Sequence, residues 1–316
     1  MRFFVSSDIR KNRVLFHGVV AFMVFALLFW LASWVHFYSR YGFSSESLKA
    51  YFFIDPELGE RVSLAQISED FHVGVFLHGM LLIVLLSLFN LTRWSAGLKL
   101  FLAGALSLLA LFYVSCDFLV LLLGPAFAVV KLLSFLAYQV VFLLLWVLTL
   151  YGLFTSPGNR PPHSSLRMLL GLFALFSLIF LLSNFLNFFL KMGFSPQGVK
   201  DYLLGNPELY VKGKSSEGLF KVFYPHLLGM ALYVLALSHL LPFAGIKRKT
   251  SLLFGLFLFA FSFVENSSGF LVLYAGPFFA HVKLLSFWAF QVVAVGCTCL
   301  LLVASLRRER SSTLYL

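Results

Sequence analysis

The sequence predicts an all-α membrane protein with about eight transmembrane helices, arranged as two parallel four-helix repeats. Three observations predict this fold class. Hydrophobic residues make up 60% of the 316 residues and charged residues only 12%, with a mean hydropathy of +0.93. A soluble domain of this size carries far more charge. Several uncharged runs reach the roughly 20 residues that span a bilayer as a helix. One long apolar segment also occurs twice.

The repeated segment covers residues 117–141 and 269–293, which read DFLVLLLGPAFAVVKLLSFLAYQVV and GFLVLYAGPFFAHVKLLSFWAFQVV. Aligned without gaps at an offset of 152 (269 − 117), the two match at 18 of 25 positions. The loops that begin at Gly42 and Gly193 also match, at an offset of 151 (193 − 42). Such agreement indicates a tandem duplication. We therefore expect two domains, residues 1–155 and 156–316.

Hydropathy places the eight spans at about residues 14–37, 71–91, 97–121, 126–153, 166–190, 219–243, 250–273 and 277–305. Basic residues recur on one side of these spans: Arg10, Lys11, Arg13, Arg93, Lys99, Arg160, Arg167, Lys247, Arg248, Lys249, Arg307, Arg308 and Arg310. The loop after the first span is acidic instead. The positive-inside rule therefore predicts cytoplasmic termini in a multi-pass protein of the bacterial inner membrane, and four spans per copy make the repeats parallel.

The two long loops on the opposite side each contain a short amphipathic helix. Ser44 and Ser195 are the predicted N-caps of these helices, with Pro196 at the first helical position. We expect the two helices to rest on the membrane surface or on a partner. Residues 155–162 form a Pro/Gly-rich linker between the repeats.

The net charge of +11 does not predict a nucleic-acid partner, because membrane proteins concentrate Lys and Arg in cytoplasmic loops. The expected partners are the lipid bilayer and other membrane or periplasmic subunits. The three cysteines lie in or beside apolar helices without a CxxC spacing, which is typical of packing residues.

Each repeat has the same polar residues in its last span, and an acidic residue precedes each Gly-Pro pair. The set comprises Lys131, Ser134, Gln139 and Asp117 in the first copy, and Lys283, Ser286, Gln291 and Glu265 in the second. An intramembrane lysine is by default a functional hypothesis, either for an ion, proton or substrate site. The structural alternatives are an ion pair with the nearby acid, or a lysine that reaches the membrane edge.

Histidines are the second candidate set, because imidazoles on neighbouring helices at matched depth can hold b-type haem. The candidate ligands are His36, His72, His226, His239 and His281. Two features disfavour a haem pair in each copy. The 13 residues from His226 to His239 rotate a helix by about 140°, and the duplication keeps none of these histidines at its offsets. The alternative is histidines that hydrogen-bond between helices or to interfacial water.

The second half also resembles an uncharacterised group of bacterial inner-membrane proteins. These carry an HxHxFxM stretch followed by HLF on one helix, and GPxFAxxKxxSF on another. His226, Met230 and His239 match the first pattern, whereas Tyr224 departs from it. The second pattern matches at Gly276, Pro277, Phe279, Ala280, Lys283, Ser286 and Phe287. The resemblance implies association with membrane redox systems.

The sequence contains no phosphate loop, HExxH motif, nucleophile elbow or intramembrane carboxylate pair, so no catalytic residue is predicted and enzyme activity stays open. The leading hypothesis is a membrane subunit of an electron-transfer complex that holds haem b through some of the candidate histidines. The alternatives are a non-catalytic scaffold subunit, and a transporter with a site at the repeat interface near Lys131 and Lys283.

Overall fold

A computed structural model describes residues 13–53, 62–155 and 163–307. Several residues used above lie outside these ranges. They are the basic residues Arg10, Lys11, Arg160, Arg308 and Arg310, the acidic residues of the first loop (Asp55, Glu57 and Glu60), and residues 156–162 of the linker.

The described residues form ten α-helices and one small antiparallel hairpin. The first repeat contains α1 (Arg13–Tyr41), α2 (Ser45–Phe52), α3 (Leu64–Asn90), α4 (Ala96–Leu123) and α5 (Ala128–Thr155). The second contains α6 (His163–Met192), α7 (Pro196–Leu204), β1 (Gly205–Asn206), β2 (Val211–Lys212), α8 (Ser216–Leu240), α9 (Arg248–Ala275) and α10 (Phe279–Leu306). Eight of these helices are long and apolar enough to cross a membrane. The predicted fold class is confirmed.

The second span differs most from its prediction. It starts at Leu64 instead of residue 71, and Ser63 caps it by accepting a hydrogen bond from the Gln66 backbone N–H at 3.2 Å. The first two turns contain Glu69 and Asp70, which lowered the local hydropathy. A capped polar turn at the membrane edge extends the helix beyond the apolar run.

Close contacts divide the chain into two compact units, Met1–Phe173 and Ala174–Leu316, here called the first and second unit. The boundary predicted between residues 155 and 156 stays a prediction. Because an odd number of spans precedes α2 and α7, these two short helices lie on the same side of the membrane, here called the loop side.

The short helices α2 and α7 insert into their own units. In α2, Leu48 and Phe52 are buried among the loop-side ends of α1, α4 and α5. In α7, Val199 and Leu203 occupy the equivalent places among α6, α9 and α10. The expectation that these helices rest on the membrane surface or a partner was wrong for their apolar faces, because the spans leave room for those side chains. The predicted caps Ser44 and Ser195 are present.

The duplication is visible in the packing around these short helices. Phe37 stacks on Phe135 with ring centres 4.0 Å apart, and Phe188 stacks on Phe287 at the same distance. These rings are related by the offsets of 151 and 152 found in the sequence (188 − 37 and 287 − 135). The two units are therefore built around the same aromatic contact.

A glycine followed by proline separates the last two spans of each unit. Gly124 and Gly276 have φ angles of 97° and 122°, in the region that favours glycine. Each ends the preceding helix, and the proline that follows cannot continue it. This turn brings the start of the last span beside the end of the span before it.

Candidate functional site

Lys131 in α5 is the most enclosed charge in the first unit, with 2% of the residue exposed. Its Nζ lies 2.8 Å from Asp117 Oδ1 in α4 and donates to the backbone carbonyl of Tyr113 at 3.0 Å. Nζ also lies 4.1 Å from the centre of the Tyr113 ring. The Tyr41 hydroxyl donates to Asp117 Oδ2 at 3.1 Å. The lysine points into the protein, so the alternative of a side chain that reaches the membrane edge is wrong here.

Lys283 in α10 has a similar environment in the second unit, where 7% of the residue is exposed. Its Nζ lies 2.8 Å from Glu265 Oε1 and donates to the backbone carbonyl of the same glutamate at 3.1 Å. The ion pairs predicted for both lysines are therefore present. Each pair joins the two helices on either side of the Gly-Pro turn.

The acid of the ion pair has moved by one helical turn between the units. At the offset of 152, Asp117 corresponds to Gly269, and Tyr113 corresponds to Glu265 (265 − 113). Each lysine thus keeps its bond to the carbonyl of the equivalent residue. Because a glutamate side chain is one methylene longer, Glu265 reaches the lysine from the earlier turn. Comparison of the two copies at this offset was the sequence signal for Tyr113, which the candidate set omitted.

The glutamines of the two units differ in their partners. Gln139 donates through Nε2 to Ser33 Oγ at 2.7 Å, and its backbone carbonyl accepts from Trp30 Nε1 at 3.1 Å. Gln291 is fully buried, and neither of its side-chain amide atoms has a hydrogen-bond partner among the described residues. Ser134 and Ser286 bond to backbone carbonyls of their own helices. The glutamine therefore ties α5 to α1 in the first unit only.

The predicted haem ligands lie in different environments. His36 in α1, His239 in α8 and His281 in α10 are exposed, His226 in α8 is half-buried, and His72 in α3 is buried. The described residues contain no group of three or more His, Cys, Asp or Glu side chains that would hold a metal ion. A bis-histidine haem needs only two such ligands, so the haem assignment stays a prediction.

His78 in α3 is a buried histidine that was not among the candidate ligands. Its Nδ1–H donates to the Gly74 carbonyl at 2.7 Å. The ring centres of Phe29, Tyr113 and Tyr138 lie 5.1–6.0 Å from its own in edge-on contacts. Aromatic rings so close on several sides leave no room for a haem at His78.

Arg40 at the loop-side end of α1 forms a polar cluster that the sequence did not reveal. It pairs with Asp70 in α3, and its Nε donates to the Tyr51 hydroxyl in α2 at 2.8 Å. Burial raises the pKa of the Tyr51 phenol above its usual value, which keeps it neutral as an acceptor. Asp70 and Arg40 were read only as loop charges, because the pairing depends on where α2 and α3 pack.

A family model described as a transmembrane helical domain matches this chain twice, over residues 42–160 and 193–312. The two matches are displaced by 151 residues at their start and 152 at their end (193 − 42 and 312 − 160), as the duplication requires. No curated protein and no solved structure matches the chain. The motif-level resemblance to bacterial inner-membrane proteins stays a hypothesis. Since the matches cover more than half of its length, the chain belongs to the Aq_1264_TM family of transmembrane helical domains, present here in tandem.

Proposed function

We propose that this protein is a non-catalytic scaffold subunit of a larger membrane complex and that α1 is its docking helix. The observation that carries this proposal is the poor coverage of α1. Only 11% of its apolar window is buried within the protein, against 39% for each of α3, α4 and α5. The exposed stripe on α1 includes Phe25, Leu28, Val35, His36 and Tyr38.

The intramembrane ion pairs support a structural role for the bundle. Lys131 and Lys283 each already bind a carboxylate and a backbone carbonyl, so their charges are neutralised within the protein. Releasing a lysine for substrate would leave both partners buried without compensation, which is strongly unfavourable. The transporter alternative requires such a release, and replacing both lysines with Met without loss of function would remove it.

Photo-crosslinking from α1 tests the scaffold proposal in the native membrane. A photoreactive amino acid at Val35 should give a discrete protein adduct. The matched control is Phe101 in α4, since both residues are 69% exposed. We expect lipid adducts alone from position 101. Lipid adducts from both positions would contradict a partner on α1.

The second candidate function is electron transfer with haem b, and the exposure of His36, His239 and His281 favours it in one specific form. Exposed imidazoles can ligate only a haem that a partner subunit also encloses. A second membrane or periplasmic subunit, such as a cytochrome c, would then be required. The cytoplasmic termini and the bacterial inner membrane belong to the same proposal.

An absorption spectrum of the complex, purified in mild detergent, separates the two functions. A Soret band that His36→Gln weakens and the control His17→Gln leaves unchanged would support haem ligation from α1. His17 is a suitable control because it is also exposed and lies near the opposite end of the same helix. A complex with its full set of subunits and no Soret band would leave the scaffold function alone.

A further inference from the structure

The loop between α7 and α8 contains a hairpin that presents one aromatic side chain. β1 and β2 pair in antiparallel register, Gly205 with Lys212 and Asn206 with Val211. Tyr210 precedes β2 and is 97% exposed. Its φ of 55° lies in the left-handed region, which is unfavourable for a tyrosine. A strained position that holds an exposed aromatic residue suggests that the side chain binds something outside the chain.

The hairpin is held rigidly on the second unit. Asp201 Oδ1 accepts hydrogen bonds from Asn206 Nδ2 at 3.1 Å and from Gln197 Nε2 at 2.8 Å. The Lys214 backbone N–H donates to the Leu203 carbonyl at 2.9 Å, and Leu203 is itself buried in the unit. Tyr210 is therefore presented by a fixed platform, so its exposure loses little conformational entropy on binding.

The surface around Tyr210 combines apolar and basic side chains. Leu204 and Val211 are 43% and 39% exposed. Lys212 and Lys214 are also exposed, and Lys214 Nζ lies 4.7 Å from the centre of the Tyr202 ring. Exposed aromatic and lysine side chains together are typical of segments that lie at the polar headgroups of a bilayer.

The hairpin lies close to the membrane along the chain. Lys212 is six residues (218 − 212) before Gly218, where the next candidate span begins. Six extended residues reach at most about 20 Å. The hairpin is thus restricted to the vicinity of the loop-side headgroups.

We propose that this hairpin binds anionic lipid headgroups, with Tyr210 at headgroup level and Lys212 and Lys214 beside lipid phosphates. Phosphate oxygens complement the two ammonium groups, and the tyrosine ring with its hydroxyl suits an environment that is apolar at one end and wet at the other. The first unit is predicted to lack this property, because its corresponding segment contains Asp55, Glu57 and Glu60. The duplication has therefore produced one lipid-binding loop and one acidic loop.

Fluorescence quenching of the full-length protein in nanodiscs tests the proposal. Cys116 and Cys297 are buried and Cys299 is exposed, so a Cys299→Ser background leaves Tyr210→Cys available for an environment-sensitive label. We expect quenching by lipids with a doxyl group near the headgroup. It should be about 2-fold stronger in phosphatidylglycerol/phosphatidylcholine discs than in phosphatidylcholine discs. High salt, or Lys212→Gln with Lys214→Gln, should abolish that difference.

The control is a label at Gln197→Cys, an exposed position on α7, which should be quenched by aqueous iodide in both kinds of disc. Quenching of the 210 label by iodide alone would overturn the proposal, because it would place Tyr210 in water. Protection from both quenchers would also overturn it, in favour of a contact with protein. Doxyl quenching that is equal in the two lipids would contradict recognition of anionic headgroups.

Discussion

The two units hold the same lysine in different ways. In the first unit, Lys131 binds an aspartate one turn beyond the residue that supplies the carbonyl, and a tyrosine hydroxyl supports that aspartate. In the second unit, Glu265 supplies both carboxylate and carbonyl, and Met192 stands at the position of Tyr41 (192 − 41 = 151). What the duplication preserved is neutralisation of the lysine, because a lone charge in the membrane interior is costly.

The difference also concerns how enclosed the acids are. The side chain of Asp117 is 8% exposed, whereas that of Glu265 is 20% exposed. A more exposed acid is better solvated when its partner is removed. The first ion pair should therefore be the more demanding of the two, and the following variants test this ranking.

Asp117→Ala should have the largest effect. It leaves Lys131 buried without its acid, so we expect the free energy of unfolding to fall by about 3–5 kcal/mol. Thermal unfolding of the detergent-solubilised protein measures the loss. The double variant Asp117→Ala with Lys131→Met should recover most of it, because no unpaired charge remains. A double variant as unstable as the single one would show that the charge is not the cause.

Glu265→Ala should be milder, with a loss of about 2 kcal/mol, because the second site is more exposed and the backbone carbonyl of residue 265 stays available to Lys283. The same thermal measurement, made alongside Asp117→Ala, gives the ranking directly. Equal losses at both sites would show that exposure does not govern the difference between the units.

Moving the acid tests whether the two arrangements are interchangeable. Glu265→Tyr with Gly269→Asp rebuilds the first-unit arrangement in the second. A Cβ at residue 269 meets its nearest side chain, Leu219, at 3.7 Å, so the aspartate has room. We expect the double variant to lie within about 1 kcal/mol of the wild type, whereas Glu265→Tyr alone loses about 2 kcal/mol. Comparison of the three melting curves decides this, and a double variant no better than the single one would refute it.

The glutamines should give the smallest effects, with opposite signs. Gln139→Leu removes the hydrogen bond to Ser33 and should cost about 1 kcal/mol. Gln291→Leu replaces an amide without partners among the described residues and should be neutral or stabilising by up to about 1 kcal/mol. Unfolding in a denaturing detergent series measures both. A destabilised Gln291→Leu would indicate that water or a bound molecule satisfies this amide.

The sequence contained most of the fold, because hydropathy marks spans and the duplication supplies an internal comparison. It also predicted the partners of Lys131 and Lys283, since each acid precedes its lysine across a Gly-Pro turn. The insertion of Leu48 and Val199 between the spans was not predictable, because amphipathicity does not say which surface covers an apolar face. The equivalence of Tyr113 and Glu265 was readable from the offset. That a carboxylate one turn earlier still reaches the lysine required the positions of the helices.

The burial of α2 has a consequence for how the protein is made. Leu48 packs in the same cluster as Phe135, which follows it by 87 residues (135 − 48) and lies beyond two further membrane crossings. During synthesis α2 must therefore wait with Leu48 and Phe52 uncovered until α4 and α5 have entered the bilayer. A nascent chain stalled after residue 123 should expose α2 to protease, and completion of α5 should protect it. The first unit thus closes from its loop side, and its second-translated helix is among the last to be packed.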